Sequence, residues 1–448
     1  MLISFTVFLM NILILSASAS EPYGEELRGT GSYDDYERPA SCRQCHTDMY
    51  YQWKQSMMGN AFIHHWDEIE YFDLAVEHAK RDPEFADVVD GCNGCHTPLA
   101  FIAGDLPPKR PSENTRANES VSCDICHTIP GYNEDVLYNF SYYTKPGRLK
   151  YGNRGGTSSP HHDLMKFDGI SIAKFCANCH NEKSPWGVYV KGTYNEWLAG
   201  PYSKEGVQCQ VCHMPRAPGI RAITDNTRYD DVRQHTFQGG HVTSKTSGAI
   251  DLIIHADGSE YEPGDVVVFT AVLFNQKAGH KIPTGSVEDR LLHLHVEAVD
   301  ANGTVYHLPV DRKGFEGEDY TIAADVKAYQ DFADMIDVPA GYDGLPRDGV
   351  PIGDRIFRMP YFTEDGIMTI CQWNTASFGV DYRIGPRETK LETYTWIVPD
   401  DIEPGPVTVQ ARLNYQLLVR PVAEFLDVPE EESALRLISE ASTSVEIY

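Results

Sequence analysis

Ten cysteines and five histidines of this chain fall into one pattern, Cys-x-x-Cys-His, used five times. The copies are Cys42/Cys45/His46, Cys92/Cys95/His96, Cys123/Cys126/His127, Cys176/Cys179/His180 and Cys209/Cys212/His213. Composition alone would yield about 0.01 copies. Two thiols spaced by two residues lie on one edge of a single turn, with the imidazole beside them. That is the arrangement needed to attach a c-type haem: each thiol forms a thioether to a vinyl group and the histidine binds the iron. Disulfides or half-zinc sites could also use paired cysteines, but neither requires a histidine after the second cysteine every time. The expected cofactors are five c-type haems, with His46, His96, His127, His180 and His213 as proximal ligands. Cys371 is the one cysteine outside the pattern, in TICQW, and reads as buried and inert.

Each iron has a second axial position, and twelve histidines remain to fill them. The first-rank candidates are His162, in SSPHHD before motif 4, His235 and His241, in RQHTFQGGHV after motif 5, and His280, in AGHKIPTG. Gly239 and Gly240 allow close backbone approach to a flat ring. His280 falls at the end of a predicted strand, from where it could reach back to a haem. The second rank is His161, His64, His65, His78 and Met58. A thioether ligand would raise the potential relative to two imidazoles. His293 and His295 alternate along a predicted strand and read as β-face residues.

These ligands must be positioned by a chain of two kinds. Residues 1–20 carry an apolar run from Leu2 to Leu15 and small residues at Ala17 and Ala19, the pattern of a secretory signal. The n-region lacks Lys and Arg, so an uncleaved anchor is the alternative. Either way the rest lies outside the cytoplasm (periplasm, cell surface or beyond), with no later membrane span. Residues 21–41 read as an extended lead-in and 42–244 as a pentahaem domain, mainly helix and loop, packed around its haems. Within it, Tyr50, Trp53, Met57 and Ala61 predict one helix and 70–80 a second, while 131–160 reads as a long loop. Short steps between motifs 2 and 3, and between 4 and 5, predict neighbouring haems.

Near residue 245 the pattern changes to β-branched runs bounded by Gly, Pro, Asp and Asn: AIDLIIHA, DVVVFTAVLFN, LLHLHVEAVD, TYTWIVP and VTVQARLNYQLLV. Residues 245–448 therefore read as a mainly antiparallel β domain, an immunoglobulin-like sandwich. An irregular insertion falls at about 311–390, and a short helix is expected in the tail PEEESALRLISEAS. Formal net charge is -27. A surface this acidic argues against nucleic acid and anionic membranes and fits a basic redox partner.

Several stretches are recognisable together: CRQCH followed by YxxWxxSM, VSCDICHTI, SPHHD before FCANCH, EWLAGPYSKEGVQCQVCHMP and the trailing HTFQGGH. In these the chain resembles the multihaem cytochromes grouped with cytochrome c-554, distantly related to the haem cores of hydroxylamine oxidoreductase. The resemblance covers roughly residues 40–245. AGHKIPTG and the β-rich tail resemble domains appended to such cytochromes, in which the His of GHxxPTG is a haem ligand. Family members often carry Ser-x-His after the first motif's Trp; here Met58 stands in place of that His. The resemblance implies electron transfer with redox partner proteins most often, with catalysis in some branches. It also extends to subunits of extracellular cytochrome filaments, in which copies of the chain associate. The alternative expectation is a reductase or oxidase of a small nitrogen or sulfur compound at one open haem.

Overall fold

The structure is a computed structural model and describes residues 22–225, 227–311 and 349–448. The leader expected over 1–20 lies outside the described residues, as does the 312–348 part of the expected insertion. No helix among the described residues is long and apolar enough to cross a membrane.

The N-terminal region is short helices joined by loops. Each motif sits on or against one helix: α1 Pro39–Arg43, α2 Ala86–His96, α3 Cys123–His127, α4 Ala173–Ala177 and α5 Cys209–His213. The single helix expected after motif 1 is two, Thr47–Lys54 and Met57–Asn60. Ser56 caps the second by accepting from the Gly59 amide at 3.2 Å. Gly59 must be glycine there, because a Cβ would lie 2.4 Å from the Trp53 carbonyl oxygen. The second expected helix is present as a π-helical stretch, Glu70–Ala75, running into Val76–Arg81. The expected loop over 131–160 is largely irregular, but Leu149–Gly152 pairs in parallel with Asp163–Lys166.

The C-terminal region is mainly antiparallel β. The strands of its two larger sheets are β1 Asp251–Ala256, β2 Glu260–Tyr261, β3 Val266–Phe274, β4 Leu291–Val299, β5 Val305–His307, β6 Arg355–Phe357, β7 Thr389–Ile397, β8 Gly405–Gln416 and β9 Arg436–Ile447. One sheet has the order β7-β3-β1; the other runs β5-β4-β8-β9-β2, with β6 also paired to β4. Alternation decides which face is buried. On β3, Val267, Phe269, Ala271 and Leu273 point inward, and on β8, Val407, Val409, Ala411 and Leu413 do the same. The buried faces of both sheets meet in one apolar core. The tail is mostly strand rather than helix: only Glu430–Glu432 make a helical turn. The residues that follow pair antiparallel with β8 and bury Ile438, Val445 and Ile447.

The core does not stop at the regional boundary. Trp66, Leu74, Ala75, Phe85 and Val89 from the helical region pack into the same cluster as the sheets. Polar ties reinforce it. The buried Arg383 guanidinium donates to Glu196 at 2.6 Å, and Trp373 Nε1 donates to His78 Nδ1 at 2.9 Å.

Candidate functional site

At each motif the backbone forms a helical turn. The His46 amide donates to the Cys42 carbonyl at 2.8 Å and the His180 amide to Cys176 at 2.9 Å, which brings both sulfurs and the imidazole to one side. In motif 2 one spacer residue is dictated by packing. A Cβ on Gly94 would lie 2.5 Å from the Phe140 ring.

Four motif imidazoles are oriented by backbone carbonyls on distant segments. Nδ1 of His46 meets the Arg221 carbonyl at 2.7 Å, His96 that of Ala61 at 2.7 Å, His127 that of Tyr151 at 2.7 Å and His213 that of Gln238 at 2.6 Å. A carbonyl only accepts, so Nδ1 carries the hydrogen and Nε2 keeps its lone pair for a metal. The capped helix after motif 1 thus ends by presenting Ala61 to motif 2. Among the described residues His180 makes no side-chain hydrogen bond.

Three of these imidazoles face a second one. His46 and His162 have ring centres 6.0 Å apart, His127 and His235 6.4 Å, and His213 and His280 6.3 Å. The ring planes differ by 29°, 31° and 19°. A metal–imidazole bond is about 2 Å, so two imidazoles on opposite faces of one iron have centres roughly 6 Å apart. The residues therefore fit a haem iron between each pair. Desolvation holds His213 and His235 at about 4, keeping them neutral as ligation requires. His235 Nδ1 meets the Arg233 carbonyl at 3.1 Å and His280 Nδ1 that of Lys281 at 2.8 Å, the same orienting device.

The other candidates lie elsewhere. Met58 packs at the edge of an apolar cluster that includes Leu99, Phe101 and Phe140. His64 and His65 stack on each other at 4.4 Å and both approach Glu432 Oε1 at 3.3 Å. His241 meets His64 edge-on at 5.6 Å, and desolvation lowers it to about 3. Gly240 makes its close approach to the Tyr415 hydroxyl. His78 is buried against Phe85 and accepts from Trp373; His161 is exposed. Cys371 is fully buried.

Attachment cysteines of different motifs touch. Cys42 contacts Cys123, Cys95 contacts Cys179, and Cys176 contacts Cys209. Motifs 1 and 3, 2 and 4, and 4 and 5 are therefore neighbours. Of the two neighbour pairs expected from short steps, 4 and 5 touch directly, while Cys95 of motif 2 and Cys126 of motif 3 border one apolar cluster. Cys92 lies half-buried, its thiol aimed at the Val88 carbonyl one helical turn back at 3.7 Å.

Cys212 is the one exposed attachment cysteine; the other nine, Cys45 included, are half-buried. The backbones of motifs 1 and 5 are fixed from elsewhere in the chain. The Cys45 carbonyl accepts from the Ile223 amide at 2.8 Å, and the Cys212 carbonyl accepts from Lys245 Nζ at 2.7 Å.

Sequence reasoning missed a group of charged residues around motif 2. Lys191 pairs with Glu182 at 2.9 Å. Burial raises Glu70 to about 7 and Glu288 to about 8. Neither Glu288 carboxylate oxygen has a hydrogen-bond partner among the described residues. No pattern marks these residues, because they converge from separate segments.

Residues 41–128 match the model of the family described as cytochrome c554 and c-prime. Over 92% of this chain and 99% of the other, the fold is similar to that of a penta-haem cytochrome c552 from Thermochromatium tepidum, with TM-score 0.63 and 19% identity. Together these findings support a multihaem c-type cytochrome. Over 44% of this chain and 87% of the other, the chain also overlaps the CARDB domain of a Pyrococcus furiosus protein at 11% identity. The TM-score there is 0.19, too low to argue from. No curated protein matches.

Proposed function

We propose that this chain carries five c-type haems outside the cytoplasm, attached at its five motifs, and passes single electrons along them. The observation that carries this reading is the set of three facing imidazole pairs at 6.0, 6.4 and 6.3 Å. A haem iron, when bound, supplies one-electron chemistry between its ferric and ferrous states. The residues of the chain do the rest. His46/His162, His127/His235 and His213/His280 would hold the iron at motifs 1, 3 and 5. The carbonyl bonds to Nδ1 fix tautomer and ring orientation, so little rearrangement accompanies a change of charge. The touching cysteines keep neighbouring sites one short step apart, in the order 1–3 and 2–4–5, with the shared cluster around Cys95, Cys126 and Cys179 bridging them. The exposed Cys212 marks motif 5 as the end at which a redox partner would exchange electrons.

A second reading rests on motifs 2 and 4. Among the described residues neither His96 nor His180 faces another imidazole across a ring-sized gap, and the charged residues Glu70, Lys191 and Glu288 surround motif 2. An iron there with an open position, beside groups able to hold a proton, is the requirement for a reductase or oxidase of a small compound.

Low-temperature EPR of the oxidised protein, with and without cyanide, separates the readings. Near-parallel ligand planes at motifs 1, 3 and 5 should give three rhombic low-spin signals that cyanide does not alter. High-spin iron converting on cyanide addition would move motif 2 or 4 to the enzymatic reading. Loss of all three low-spin signals to cyanide would sink the axial assignment. Mass spectrometry of the intact chain should show the mass of five attached haems.

A further inference from the structure

We propose that the C-terminal sheet carries a binding site for a divalent transition-metal ion, separate from the haem motifs and formed by His295, His307 and Asp354. Strand register builds it. His293, His295 and Glu297 lie on one face of β4 by the two-residue period. β5 places His307 opposite Glu297, and β6 places Arg355 opposite Leu294, which sets Asp354 beside His295. Gly353, with φ of +100°, turns the backbone against the His307 ring, so that Asp354 points under both imidazoles.

His295 Nδ1 lies 2.9 Å and His307 Nε2 2.8 Å from Asp354 Oδ1. The two rings stack at 5.0 Å with planes 11° apart. Ligands held at about 2.0–2.2 Å from one ion sit about 3 Å from each other, so a small shift seats an ion among the three atoms. Two imidazoles and a carboxylate suit zinc and its first-row neighbours, with solvent completing the coordination.

His295 supplies the decisive observation. Carboxylates face both of its nitrogens: Asp354 at Nδ1, and Glu297 Oε2 at 3.5 Å from Nε2. A neutral imidazole has one N–H and can satisfy only one of them. The other contact needs a second positive charge, either a proton or a metal. Arg412 donates to Glu297 Oε1 at 2.9 Å and holds the carboxylate with its other oxygen 3.5 Å from Nε2. With the ring hydrogen on Nε2 toward Glu297, Nδ1 offers its lone pair to an ion shared with Asp354, the carboxylate–histidine–metal arrangement of outer-shell support. Asp354 is fully buried whereas the His307 side chain is 34% exposed, which gives an ion a way in.

The test uses the full haem-loaded protein, treated with chelator, dialysed against zinc chloride and assayed for zinc and iron by plasma mass spectrometry. One zinc per chain should be retained, with iron unchanged. His307→Ala and Asp354→Asn should weaken zinc binding at least tenfold, and Glu297→Gln about tenfold. His307 ends a short strand at the surface, so H307A keeps the circular dichroism of the parent and decides the matter if D354N does not fold. Three results overturn the proposal: no zinc on the parent protein, equal zinc on parent and H307A, or loss of zinc in His65→Ala instead. The last would assign the metal to the cluster at His64, His65 and Glu432.

Discussion

His235 illustrates both the reach and the limit of reading residues from sequence. Its setting beside motif 5, in a glycine-containing loop, singles it out as a ligand candidate. Its partner, however, is His127 of motif 3, more than a hundred residues earlier in the chain. Likewise His162 precedes motif 4 but faces His46 of motif 1. The motifs are local and legible; the pairing is set by folding through space and leaves no mark in the spacing. Met58 stands where a family histidine is usual, yet it packs among apolar side chains while His162 takes the place opposite His46. Asp354 and Glu288 were not legible at all, since each acquires its setting only from strand register or from converging segments. Replacing His235 by alanine should convert one low-spin ferric iron to high-spin, leave haem content unchanged, and be reversed by added imidazole. An unchanged EPR spectrum in H235A would mean that His127 has another partner.

At the scale of elements, the strands were legible and the helix ends were not. Period-two alternation with Gly, Asp and Asn punctuation marks β1, β3, β4, β7 and β8, because burial on one face leaves a direct imprint. The tail misleads: its Glu- and Ala-rich opening has helical propensity, and pairing with β8 overrides it from Arg436 onward. The break after Lys54 was also missed, since it depends on Trp53. That ring donates Nε1–H to the Val121 carbonyl at 2.8 Å, and the Trp53 carbonyl lies so close to Gly59 that the chain must restart at Ser56. Ser56→Ala removes the cap and should cost ~1 kcal/mol. Denaturant unfolding followed by circular dichroism checks this, and a midpoint equal to the parent's would show the cap to be idle. Because that short helix leads to the Ala61 carbonyl, S56A should also loosen the orientation of His96.

At the scale of the molecule, the acidic balance of the sequence has a buried counterpart that composition did not reveal. Glu288 is 5% exposed and sits with Glu70 and Lys191 where the helical and β regions meet. Burial lifts it to about 8 from an ordinary value of 4.5. Between those values the folded chain holds a proton that the unfolded chain releases. Its contribution to stability is therefore intact below about pH 4.5 and is lost as pH rises toward 8. Glu288→Gln should remove this loss. E288Q should melt at a higher temperature than the parent at pH 8 and at a similar one at pH 5. Thermal melts at the two pH values check it, and a gap of the same size at both would show that Glu288 does not titrate in that window.

The pairing of His213 with His280 has one more consequence. His280 belongs to the β region and His213 to the last motif, so one iron would be held jointly by two parts of the molecule. Linkage then works in both directions. If the ferric and ferrous states grip His280 with different strength, the same free energy that shifts the potential of that site also shifts how firmly the sheets are clamped to the helices. A partner that pulls on the sheets would tune the last site of the relay, and an electron arriving there would be felt mechanically across the boundary.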